Sequence, residues 1–156
     1  MKAILMSIKP KWCEKIFNGE KTVEVRKTAP KLELPFKVYV YQTKHKGRNI
    51  VAEALNAVYG GGKVIGEFIC DKIGEIDYVM YWNNGYEIAT RLAYRECADY
   101  GKGKPLYGWH ITAPKLYDKP KELSEFLTPS GTGDVWGNHY LSRPPQSFMY
   151  VEDEEQ

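Results

Sequence analysis

Cysteine is scarce in this 156-residue chain: Cys13, Cys70 and Cys97 are the three, and no two are separated by two residues. That spacing excludes a zinc knuckle or a redox pair and leaves each thiol, among apolar neighbours, as a small core residue. Histidine is equally sparse. His45, His110 and His139 form no i, i+4 metal pair, and no metal or cofactor is expected. No G-x-S-x-G nucleophile elbow occurs, so a serine hydrolase triad has no support. The run Gly60-Gly61-Gly62-Lys63 lacks the spacing of a phosphate-binding loop and precedes a strand where that loop would open a helix. No apolar segment reaches 18 residues, and the N-terminal one is too short for a signal peptide. The expectation is a soluble, cytoplasmic chain with no membrane partner.

What is present is an ordinary globular composition, 43% hydrophobic and 27% charged, which excludes wholesale disorder. The length is most simply one domain spanning 1–156, with a core large enough to need no disulfide. Twelve tyrosines and four tryptophans are available to fill that core or to stack on bases. The net charge of +2 hides an asymmetry. Residues 1–50 hold 12 Lys and Arg against four Glu, a net of +8, whereas the remainder holds 10 basic and 16 acidic residues, a net of −6. If the fold keeps those halves apart, the field suits an anionic partner; if it mixes them, the asymmetry averages out.

Hydrophobic periodicity outlines the elements. "AILMSI" (Ala3 to Ile8) reads as a buried strand. "KPKWCEKIFNG" reads as a short helix, with Pro10 at its first position and Gly19 closing it. "KTVEVRK" and "FKVYVYQTK" read as strands. "IVAEALNAVY" has helical spacing and belongs to a helical insertion near 45–62. "KVIGEFICDKIGEI" is the clearest central strand, with Gly66 as a bulge candidate. A helix is expected from about Asn84 to Tyr100, then a strand through "LYGWHITAPKLYD", a loop-rich segment over 127–145 with a helical turn near Glu122 to Phe126 before it, and a closing strand "QSFMYVE". Strands mixed with short helices, without regular βαβ alternation, point to an α+β fold or a small mixed barrel.

One constellation carries chemistry. Strand alternation aims Thr22, Glu24 and Arg26 the same way, about 7 Å apart at each step, with Lys21 at the strand entrance. Facing bulk water, such residues add solubility and an ion pair of about 0–1 kcal/mol. Lining a cleft, the carboxylate holds the guanidinium for a phosphate, and a desolvated lysine can bind phosphate or act as a base. The pattern leaves both readings open. His110, placed by alternation opposite Trp109 and Ile111, is the histidine best placed for proton transfer.

The stretch "SIKPKWCEKIFNGEKTVEVRK" resembles the N-terminal signature of ASCH domains, members of the PUA-like superfamily. "GKVIGEFICDKI", "LYGWHITAPKLYDKPKELSEF" and "RPPQSFMYVE" agree in order and resemble a subgroup common in bacterial and phage genomes. The resemblance implies a small mixed β-barrel with flanking short helices and a basic, polar cleft that binds RNA or another nucleic acid, or a nucleoside-sized ligand such as a modified base. On that reading Lys9, Lys11, Lys21 and Arg26 meet phosphates, Thr22 lines the site, and Trp12 or Trp109 stacks on a base. Related ASCH proteins include a ribonuclease and an amidohydrolase acting on acetylated cytidine, and their motif lysine falls on Lys21. The enzymatic alternative therefore assigns Lys21, Glu24 and His110 as catalytic. One departure bears on it: three residues after that lysine the amidohydrolases carry a threonine nucleophile, and here stands Glu24. A protein-interaction module built on exposed aromatics is the third reading.

Overall fold

The computed structural model describes residues 1–129, 137 and 139–153. Six strands form one mixed sheet: β1 (Lys2–Ile8), β2 (Val23–Arg26), β3 (Phe36–Gln42), β4 (Lys63–Glu75), β5 (Tyr107–Lys121) and β6 (Phe148–Glu152). Their order is β2-β5-β4-β3-β1-β6. β1 and β3 run parallel, and every other pairing is antiparallel. Four short helices flank the sheet: α1 (Pro10–Phe17), α2 (Ile50–Tyr59), α3 (Tyr86–Thr90) and α4 (Tyr94–Gly101). A single turn of 3-10 helix follows β5 at Leu123–Glu125. The expected loop-rich segment over 127–145 and the acidic tail lie partly outside the described residues.

The sheet curls into a half-barrel because its two longest strands are interrupted. The β4/β5 register shifts at three places, and such bulges increase local twist and bend the strands. Gly66 is where this curvature meets the first helix. A Cβ there would fall 2.5 Å from the Lys115 carbonyl oxygen and 2.6 Å from the Phe17 ring, so only glycine lets α1 lie against β4 and β5. β1 is buried on both faces, as its unbroken apolar run requires. Ile4, Met6 and Ile8 pack with Val38, Val40, Phe68 and Trp109 on one side, while Ala3 and Leu5 pack with Tyr39, Val64 and Phe126 on the other.

Two expectations change. The helix expected from Asn84 to Tyr100 is two helices, broken at Arg91, which adopts φ +58°. The physical reason is a buried side chain: Thr90 Oγ1 donates to the Tyr86 carbonyl at 2.7 Å and accepts from the Leu92 N–H at 3.1 Å. Those bonds stop the helical ladder that periodicity would continue. The basic and acidic halves of the sequence also interleave in the sheet and do not stand apart. β1 and β3, from the basic first 50 residues, are flanked in the sheet by β4 and β6 from the acidic remainder.

Among the described residues, no helix is long and apolar enough to cross a membrane. Among the same residues, no group of three or more His, Cys, Asp or Glu side chains is placed to hold a metal ion.

Candidate functional site

The site is assembled around the turn between α1 and β2. Gly19, at φ +84°, lets the chain leave α1, and the Lys21 N–H donates to the Lys15 carbonyl at 2.8 Å. The Thr22 N–H then donates to the Ala89 carbonyl on α3, also at 2.8 Å. This tie holds residues 21–22 out of the alternation of β2. Lys21 points inward and is 2% exposed, whereas Thr22 points to solvent. Within β2 the alternation is regular: Glu24 and Arg26, 6% and 8% exposed, face the same recess as Lys21.

That recess is a cleft of about 440 Å³. Lys21, Glu24 and Arg26 line it from below, with Trp12 of α1, Ser7 and Ile8 of β1, Leu92 between α3 and α4, and Glu96 and Tyr100 of α4 as walls. Lys9, Val25, Thr43 and Gln146 complete the lining. Glu24 is bridged on both oxygens, to Arg26 Nη2 at 3.0 Å and to Lys21 Nζ at 3.4 Å. Three ionic groups out of water are tolerable only in this paired state, because a lone buried charge costs several kcal/mol.

Lys21 has three neighbours for its ammonium. Nζ donates to the Thr90 carbonyl at 2.6 Å, pairs with Glu24, and lies 5.0 Å from the centroid of the Trp12 ring. Burial pushes its pKa below the usual lysine value; the Glu24 charge opposes that shift and Arg26 reinforces it. A lysine so placed is easier to deprotonate than a surface one. Its carbonyl partner exists because the chain breaks after Thr90, so the unexpected break between α3 and α4 is part of the site.

Arg26 does a different job from the one expected of it. Nη2 also donates to the Ser7 carbonyl at 2.8 Å, and Nη1 reaches Ser147 Oγ at 3.3 Å and its carbonyl at 3.5 Å. One guanidinium thus joins β2, at one edge of the sheet, to β1 and to the chain entering β6 at the other edge. Nε is buried without a hydrogen-bond partner. Arg26 closes the seam of the half-barrel and has little left for a phosphate.

Other predicted residues scatter. Trp109 is 0% exposed; its Nε1 donates to the Thr28 carbonyl at 3.3 Å, and its ring packs edge-on against Phe36 and Phe148. It cannot stack on a base. Alternation along β5 turned it inward, and the aromatic became core. His110 faces away from the cleft, as alternation required, with Nδ1 2.7 Å from Asp71 Oδ1 on the solvent side. It is therefore separated from Lys21 and Glu24 and out of place as their acid–base partner. Lys11 is exposed, outside the cleft lining, and holds its Nζ over the Trp12 ring at 4.5 Å. Lys9 and Trp12 do line the cleft. Burial raises the thiol pKa of all three cysteines, that of Cys70 to about 12, which leaves them unreactive core residues. Sequence reasoning missed Ser7, Thr43, Leu92, Glu96, Tyr100 and Gln146. The sequence places Ser7 only in the buried strand and as the first residue of the ASCH-like stretch.

A six-stranded half-barrel with short helices over one side and a polar cleft beneath the first of them defines a PUA-like fold. The family model for the ASCH domain matches residues 6–121, and the chain belongs to that family. Its fold is similar to the crystal structure of ASCH from Zymomonas mobilis, at 22% identity and a TM-score of 0.67, covering 97% of this chain and 89% of that one. Two variants of the same Zymomonas mobilis protein match comparably. A tyrosine-to-phenylalanine form is 21% identical with a TM-score of 0.67, covering 97% and 91%. A serine-to-alanine form is 21% identical with a TM-score of 0.66, covering 96% and 88%. At such identity the likeness establishes the fold. No curated protein is significantly similar in sequence. ASCH domains are a PUA-like family often linked to RNA binding.

Proposed function

We propose that the cleft binds RNA, seating one nucleoside on the Lys21–Glu24–Arg26 floor against Trp12 while Lys9 meets the adjoining phosphate. The observation that carries this reading is the convergence of three buried ionic groups beneath a half-buried tryptophan in a recess of nucleoside size. Trp12 supplies a stacking surface, and base–aromatic stacking contributes about 1–3 kcal/mol per base. The floor charges pair with one another while Glu24 Oε2 and Arg26 Nε have no hydrogen-bond partner among the described residues, which suits hydrogen bonding to a neutral base better than capture of a phosphate. The cationic contact belongs at the rim, where Lys9 is exposed. The expected behaviour in fluorescence anisotropy with short single-stranded RNA is binding that weakens with salt, the log–log slope being about −0.7 per phosphate contacted. Lys9→Ala should flatten that slope and Trp12→Ala should weaken binding at every salt concentration. Absence of salt-sensitive binding to any RNA or DNA would remove the proposal.

The enzymatic reading rests on one further feature, the lowered pKa of buried Lys21. An amine in that state loses its proton more readily than a free lysine and can then accept one as a base. Glu24 offers no hydroxyl, so the threonine chemistry of the amidohydrolase branch has no counterpart at that position. Incubation in EDTA with RNA and with acetylated cytidine separates the readings. Turnover that Lys21→Ala abolishes in a folded protein favours the enzyme; binding without turnover leaves the RNA-binding module.

A further inference from the structure

Helix α2 is built inside out. Its inner side is small and polar: Ala52 is buried, Leu55 and Asn56 are half-buried, and Asn56 Oδ1 accepts the His45 N–H at 2.6 Å. The side facing solvent carries Ile50, Val51, Ala54 and Val58, with the three larger residues 85%, 65% and 72% exposed. At about 100° per residue these four cover one side of the helix, opposite Ala52, where a surface helix ordinarily presents charge. Glu53 is the one charged residue in α2, and the exposed cations Lys46 and Arg48 precede its N-terminus.

We propose that this face pairs with the same face of a second copy of the chain, making a two-fold dimer across α2. Shape supports that occupant. The row Ile50, Ala54, Val58 has a small residue at its centre and branched ones at its ends. An antiparallel crossing at Ala54 sets Ile50 of one copy beside Val58 of the other and lets the backbones approach over paired alanines. Charge supports it as well. The last turn of α2 has no basic residue and forms the negative pole of the helix, its Asn56 and Tyr59 carbonyls already accepting from the Gly60 N–H and from Gln42 Nε2. The antiparallel arrangement delivers Lys46 and Arg48 of one copy to that pole of the other.

Sedimentation of the intact chain over a concentration series should show the mass rising from 17.9 kDa toward twice that value. Ile50→Glu, set against the negative pole of the partner helix, and Ala54→Glu, at the crossing point, should each weaken association roughly tenfold or more, with unchanged circular dichroism, because a charge would be buried unpaired. Ala54→Cys should form a disulfide-linked dimer with oxidised glutathione, free of interference from the three buried native thiols. Val79→Cys, at a site 88% exposed elsewhere, should not. A chain that stays monomeric at every concentration overturns the dimer, as does a dimer indifferent to both glutamates. Apolar side chains next to cations also suit an anionic bilayer. Monomer in solution with glutamate-sensitive recruitment to phosphatidylserine vesicles would likewise overturn the dimer, in favour of that surface.

Discussion

At the scale of single residues, Lys21 is the buried cation of the cleft floor, 2% exposed, where the sequence pattern leaves a solvated and a cleft position both open. Its pKa is lowered by burial, so in the window between the folded value and the ordinary one of 10.5 the unfolded chain binds more protons than the folded chain. Stability contributed by this residue is therefore least at lower pH and rises as pH climbs through that window. Thermal melts of wild type and Lys21→Met between neutral and mildly alkaline pH test this. The wild type should gain relative to the variant as pH increases, and parallel profiles would show that Lys21 titrates normally. The sequence reading found Lys21, Glu24 and Arg26 by motif and parity. It misplaced Thr22 because the backbone bond to Ala89 interrupts alternation one residue before the strand begins.

Elements explain the rest of the site. The break between α3 and α4 positions a carbonyl over Lys21, and a buried threonine hydroxyl makes that break, which no periodicity signal could announce. The seat of α1 on the sheet depends on Gly66. Gly66→Ala would force either the Lys115 carbonyl or the Phe17 ring to move, and overpacking of this kind costs about 1–3 kcal/mol. Urea denaturation should show a lowered midpoint with unchanged slope. A neutral substitution would mean that α1, and with it the Trp12 wall, rides on the sheet more loosely than the contacts imply.

For the molecule as a whole, Arg26 of β2 helps to hold the half-barrel shut, alongside the edge-on packing of Trp109 on Phe148. Arg26→Ala removes the bonds to Ser7 and Ser147 and leaves Glu24 paired with Lys21 alone. Breaking a buried pair in this way costs about 3–5 kcal/mol. Amide hydrogen exchange should accelerate first in β6 and at Ser7, ahead of the central strands. Equal acceleration throughout would mean that the seam has no role of its own. What the linear order of residues determined by itself is the strands, the helices apart from the break between α3 and α4, the ASCH signature and the parity that gathers Glu24 with Arg26. Those follow from local periods of two and 3.6 residues. What only the tertiary structure decided is which polar groups share a cavity. Lys21 meets Thr90 across 69 residues of chain and Arg26 meets Ser147 across 121, and contacts of that span depend on how the curved sheet brings its edges together. Alternation set Trp109 and His110 on opposite sides of β5, and the packing decided that the Trp109 side is core.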